Sequence, residues 1–204
     1  SVASFFVSRV DTAVDKALDE SGNPEAKALA GKIAIANSKL VYRRFLEIFH
    51  GEGFAALRQR GARVQRPLWA STGTKNPAYS DVLYVEHLIG PETVNTMPPE
   101  TMHAFHDHGK APGATVKQGL PEAEKLLAQL ANFGIDLDAI TEKLQKDGVA
   151  AFKASFDQLM AGLEKKRHAM IGTELDRLEL HLGTYQKRID RRITQWQKAG
   201  IVSR

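Results

Sequence analysis

An α/β fold built on a short parallel sheet is what the order of apolar runs predicts. Three observations carry that reading: short β-branched or aromatic runs alternate with helical patterns, no Asn-Gly type hairpin turn separates them, and the period becomes purely helical after Gly109. The fold is therefore expected to be helix-rich, with a partial sheet.

Val2 to Val10 (VASFFVSRV) is apolar almost without interruption, as suits a parallel strand covered on both faces, and Asp11 to Glu20 follows as a helix. Pro24 stands at a favoured first helical position and opens a helix to Phe49, with Leu29, Ile33, Ala36 and Leu40 at helical spacing. Gly53 to Gly61 reads as a short helix and Arg66 to Ala70 (RPLWA) as a second strand. Ser71 to Pro77 (STGTKNP) is a loop of small, hydroxylic and turn-prone residues, and Val82 to Ile89 is a helix. Thr93 to Met97 gives a third strand stopped by Pro98 and Pro99, and Glu100 to His106 a short helix. Leu120 to Phe133, Leu137 to Gln145 and Val149 to Lys166 are amphipathic helices, the last with Phe152, Phe156, Leu159, Met160 and Leu163 along one stripe. Arg167 to Lys198 is helical by pattern but far more charged.

With 204 residues, 43% hydrophobic and 25% charged, the composition is that of an ordinary folded domain and excludes disordered or collagen-like classes. The net charge of +4 gathers at one end: residues 164–204 hold ten Lys or Arg against five Asp or Glu. A boundary is therefore expected at 163/164, with a basic helical linker beyond it. No cysteine is present, so disulfides, thiolate metal sites and cysteine nucleophiles are excluded, which fits a cytoplasmic setting. No apolar run nears the roughly 18 to 20 residues of a membrane helix. The chain starts at Ser1 without a signal-peptide pattern and is expected to be a piece of something longer.

Three βα units cannot close a parallel barrel, which takes about 250 residues. The sheet is either completed by further sequence or covered by another copy. Parallel α/β folds bind ligands at the carboxyl ends of their strands, which selects Ser8, Arg9 and Asp11, then Ser71 to Asn76, then Asn95 to Met97. Arg9 and the Ser71–Lys75 loop offer a guanidinium, an ammonium, hydroxyls and backbone amides, the donors a phosphate monoester needs. Their alternative is a solvated Arg9 and an ordinary turn. Lys75 as a Schiff-base nucleophile would need an apolar pocket, whereas its neighbours are Gly, Thr and Asn. His103, His106 and His108 have spacing that a metal could use, but a short helix running into a glycine turn reads as surface or capping histidines, and no metal is expected. Phe5, Phe6, Trp69 and Tyr79 read as core, with stacking on a sugar as the other use.

At SVASFFVSRVDT, RPLWASTGTKNPAYSD and TVNTMPPETMHAF the chain resembles the transaldolase family, in the form fused to phosphoglucose isomerase. The resemblance covers most of residues 1–166 and implies part of a (β/α)8 barrel, about strands six to eight, followed by long C-terminal helices. It implies an enzyme of the pentose phosphate pathway that moves a dihydroxyacetone unit between sugar phosphates through a lysine Schiff base, without a cofactor. The matched positions make Arg9, Ser4, Ser71 and Lys75 substrate-phosphate binders and Phe6 part of the pocket wall. Lys75 stands where the family more often has arginine, in a longer loop. The family's Schiff-base lysine and its acids would lie before Ser1, so no catalytic residue is expected in this chain, which alone is expected to be inactive. The expected partners are sugar phosphates and the rest of the barrel or a second copy, with no membrane and no nucleic acid. A different class is a helical interaction module whose basic tail, Lys187 to Arg192, docks a partner or nucleic acid.

Overall fold

The computed structural model describes residues 1–171 and 183–200, and these fall into two compact units, Ser1–Val149 and Ala150–Arg204. The first unit holds a three-stranded, all-parallel sheet in the order β1 (Val2–Phe6), β2 (Arg66–Ala70), β3 (Val94–Asn95). Between and after the strands come α1 (Val7–Glu20), α2 (Pro24–Lys27), α3 (Ile33–His50), α4 (Ala55–Gln59), α5 (Leu83–His87), α6 (Pro99–His108), α7 (Leu120–Asn132) and the start of α8 (Leu137–Ile171). Single 3-10 turns stand at Glu52–Phe54 and Thr115–Lys117.

Register explains why the sheet has two unlike faces. Ala3 pairs with Pro67 and Phe5 with Trp69, and Trp69 with Asn95, so these side chains share a face. That face is the core: Trp69 is fully buried, packs 5.9 Å from Phe5 and donates its indole N–H to the Leu88 carbonyl at 3.1 Å. Around it close Val7, Ala34, Ile35, Tyr42, Phe45, Tyr84, Leu88 and Val116. On the opposite face Val2 is 40% exposed, Ser4 is exposed and Leu68 is half-buried. A second core cluster lies among the helices, where Val14 and Leu18 of α1 meet Ala26, Leu29, Ile33, Leu130 and Ile135.

Four elements depart from the sequence reading. The first strand ends at Phe6, four residues early, and Arg9 and Val10 belong to α1. The cause is that Val7, Val14 and Leu18, together with Asp11, form one buried helical stripe, so Val7 and Val10 pack from a helix into the two core clusters instead of extending the strand. The expected Pro24–Phe49 helix is broken into α2 and α3 at Gly31, whose φ of +71° lies in the left-handed region. Conversely, the two helices expected at 137–145 and 149–166 are one, because Gly148 sits inside α8 without ending it. β3 is shorter than expected, with two residues, while β2 matches its expected span.

In the second unit the apolar stripe of α8 is laid open: Phe152 is 62% exposed and Phe156 60%, with Leu159, Met160 and Leu163 also exposed. A 3-10 turn at Gly183–Tyr185 leads into α9 (Gln186–Lys198), which carries Ile189, Ile193 and Trp196 exposed beside Arg192. Much of the expected 167–198 helix, residues 172–182, lies outside the described residues. No helix among the described residues is long and apolar enough to cross a membrane.

Since Trp69 joins the sheet to the helices through both its ring and its N–H, Trp69→Ala should cost about 3 to 5 kcal/mol. Urea unfolding followed by circular dichroism checks this, and a loss under 1 kcal/mol would show that the core closes without it.

Candidate functional site

Arg9 stands in the first turn of α1, directly after the C-terminal end of β1. Its guanidinium carbon lies 4.4 Å from the centroid of the Phe6 ring, a cation–π contact that restrains an otherwise exposed side chain. No carboxylate pairs with it among the described residues. On another side α8 passes beside it: a Cβ placed on Gly148 would sit 3.8 Å from a guanidinium nitrogen, an ordinary van der Waals distance. The amide end of α1 adds partial positive charge to the same neighbourhood.

The loop after β2 is tied to this region at its first residue. Ser71 has φ +54°, uncommon for a residue with a Cβ, and costs about 1 kcal/mol or more of backbone strain. Its carbonyl accepts the Ser8 N–H at 3.0 Å, which joins the loop to the first turn of α1. Thr72 is buried and donates its hydroxyl to Asn95 Oδ1 at 2.9 Å, joining the same loop to β3. Gly73 then passes so near α6 that a Cβ there would come within 3.0 Å of the Thr101 hydroxyl. Lys75 is exposed further along.

Lys75 forms part of the wall of a cleft of about 360 Å³, with Asp11, Asp15, Asp19 and Tyr79 among the other walls. Asp11, grouped from the sequence with Arg9 at the strand end, is not a ligand-facing neighbour of that arginine. It is 1% exposed, and its Oδ1 accepts the Ala34 N–H at 2.8 Å. Ala34 lies in the first turn of α3, whose N-cap, Lys32, has no capping side chain of its own. Asp11 thus caps a different helix from across the core. Burial pushes its carboxyl from the usual 3.8 to about 6, the Ala34 N–H and the nearby Tyr84 hydroxyl pull it down, and Asp15 adds a further upward push. Burial, with the carboxylates alongside, likewise raises the pKa of Tyr79 and Tyr84.

The structure thus brings Phe6 to Arg9, and Ser71 to the first turn of α1. Ser4 is exposed on the open sheet face, opposite Leu68. No described contact joins Lys75 to Arg9. His103, His106 and His108 are exposed on α6; His108 bridges Asp81 at 2.9 Å and Asp107 at 3.2 Å, and those two bonds raise its pKa. Among the described residues no group of three or more His, Cys, Asp or Glu could hold a metal ion. The Asp11–Asp15 pair is what sequence reasoning missed. Its signal is an acid on the Val7, Val14, Leu18 stripe, where burial calls for a partner: Oδ1 has one in the Ala34 N–H, while buried Oδ2 has no hydrogen bond among the described residues.

Residues 1–163 match the family model described as Transaldolase/Fructose-6-phosphate aldolase. The chain is 52% identical over 161 residues to "Transaldolase" of Thiobacillus denitrificans, covering 79% of this chain and 45% of that protein. It is 49% identical over 166 residues to "Transaldolase" of Frankia alni, covering 81% and 45%. It is 49% identical over 160 residues to "Transaldolase" of Mycolicibacterium smegmatis, covering 78% and 43%. The chain therefore spans a little under half the length of these curated relatives.

The raised Asp11 carboxyl fixes the sign of a pH effect. The folded chain keeps this proton to higher pH than the unfolded chain does, so stability is lost as pH rises between about 4 and 6. A shift of about two units corresponds to on the order of 3 kcal/mol. Asp11→Asn keeps an acceptor for Ala34 N–H and removes the titration, so its stability should fall less than wild type over that window. Urea titrations at several pH values check this, and parallel profiles for the two proteins would assign the effect elsewhere.

Proposed function

This chain belongs to the transaldolase/fructose-6-phosphate aldolase family, and from that premise we propose that it supplies the phosphate-holding side of a sugar-phosphate site in a transaldolase. The observation that carries the reading is Arg9: a guanidinium with no carboxylate partner among the described residues, held over an aromatic ring at the carboxyl end of a parallel sheet. Such a group is a ready anion receptor, since the ring fixes its direction while leaving its N–H fork free for two oxygens. Ser71 and Lys75, on the loop bonded to the first turn of the same helix, supply a hydroxyl and a second cation to the same anion. Ser4 and Phe6 line the approach from the sheet.

In this reading the reaction transfers a dihydroxyacetone unit between sugar phosphates through a Schiff base, on a lysine that this chain does not contain. The contribution of Arg9, Ser71 and Lys75 is binding and orientation: by gripping the phosphate they fix how far the sugar's carbonyl lies from its nucleophile. The sheet is about strands six to eight of a (β/α)8 barrel, completed by the rest of the barrel or by a second copy. The open face at Val2 and Ser4 and the exposed Phe152–Leu163 stripe support a covering partner. The basic segment beyond the family match, α9 included, is the joint toward an isomerase portion.

Arg9→Ala, placed in the complete enzyme, should lower kcat/KM for phosphorylated substrates about 10- to 150-fold, the worth of a charge-assisted hydrogen bond, and spare unphosphorylated analogues. Equal losses on both substrate types would make Arg9 a structural residue, and no loss would remove it from the site. The 204-residue chain by itself should self-associate, with sedimentation coefficients that rise with concentration. Phe152→Glu with Phe156→Glu should weaken that association, and a wild-type monomer at all concentrations would rule out the second copy.

A further inference from the structure

The loop that carries Lys75 is fixed at both ends, and only its first tether involves residues already assigned above. At the far end, Asn76 makes a tight turn: its Oδ1 accepts the Ala78 N–H at 2.9 Å and its carbonyl accepts the Tyr79 N–H at 3.1 Å. The turn delivers the Tyr79 hydroxyl to Asp15 Oδ2, to which it donates at 2.6 Å. The other oxygen of Asp15 accepts the Gly31 N–H at 3.1 Å, so one carboxylate joins α1, the α2–α3 junction and the loop. The Tyr79 ring packs against Gly31, where a Cβ would come within 2.8 Å of it. Glycine is thus required there twice, by its φ of +71° and by the ring.

We infer that Tyr79 is a positioning residue for phosphate binding: through Asp15 it clamps the far end of the Ser71–Ser80 loop onto α1, the helix that carries Arg9, and so sets where Lys75 can reach. The inference rests on the reading of Arg9 and Lys75 as phosphate ligands. Its logic is one of entropy. Anchors at Thr72 and Tyr79 leave Lys75 a short tethered span, whereas a loop released at Tyr79 would next be held at buried Val82, and the longer span would spread the ammonium over a larger volume and weaken its contact with the anion. Tyr79 does not touch the phosphate; it acts through the loop.

The test is a double-mutant cycle on the 204-residue chain, with inorganic phosphate as the probe and amide chemical shifts as the readout. Tyr79→Phe keeps the ring on Gly31 and removes only the hydroxyl, so the melting temperature should move by no more than a few degrees while phosphate binding weakens about fivefold. Lys75→Ala should weaken binding by at least as much, and Tyr79→Phe combined with Lys75→Ala should bind no worse than Lys75→Ala alone. Independent, additive losses would overturn the inference, since Tyr79 would then not act through Lys75. Unchanged binding in Tyr79→Phe, with Lys75→Ala impaired, would overturn it while leaving the phosphate reading intact. A wild-type chain that binds no phosphate, or one unaffected by both Arg9→Ala and Lys75→Ala, would overturn the underlying reading and this inference with it.

Discussion

A carboxylate inside the core holds the first unit together in a way that apolar packing alone does not. Asp11 is nearly inaccessible, yet it sits on the stripe of α1 that otherwise presents Val7, Val14 and Leu18 to the interior. Burial there is tolerable because the start of α3 arrives with an orphan amide and no cap of its own, and the Ala34 N–H takes the carboxylate oxygen. The bond fixes the height of α3 against α1. Once that is set, Tyr42 and Phe45 of α3 meet Trp69 from the sheet, and Ile33 meets Val14 and Leu18. Asp15, one turn further on, extends the same device to Gly31 and Tyr79, so a pair of acids four residues apart organises the junction of two helices and the loop.

The sheet carries its polar and apolar duties on different faces. Trp69, Phe5 and Pro67 turn toward the helices, while Val2, Ser4 and Leu68 turn the other way, where less cover exists. A small all-parallel sheet with helices packed on one face is compatible with part of a larger closed sheet.

How much of this could be read in advance follows from what each residue reveals alone. β2 was legible to its ends because Pro67 and the Ser71–Pro77 loop bracket a short apolar run. β1 was overrun because Val7 and Val10 continue its composition, and the helical period that claims them is hidden by Asp11, an acid that reads as surface. Gly31 was passed over inside a longer helix, since an interior glycine costs only about 1 kcal/mol, and what demands a break there, the Tyr79 ring, lies 48 positions away in the chain. Gly148 posed the opposite case and left α8 whole. For the site, Arg9, Ser71 and Lys75 follow from the strand-end rule and their donor chemistry as well as from resemblance, and Ser4 and the wall role of Phe6 from resemblance alone, whereas the Asp11 and Asp15 contacts are tertiary and carry no local motif.

Gly148 has a further meaning for motion. It is the least helix-favouring residue in its stretch of α8, worth about 1 kcal/mol against alanine, and it is also the point at which that helix passes Arg9. A helix with a weak link opens there first, in excursions too brief to disturb its ends. Amide protons just beyond Gly148 would therefore trade with solvent deuterium sooner than those near Leu137, which is packed against the second core cluster. If Arg9 holds an anion as proposed, the bound anion would brace the neighbouring turn and slow that exchange, and the rhythm of a distant-looking backbone segment would gauge whether the guanidinium is occupied.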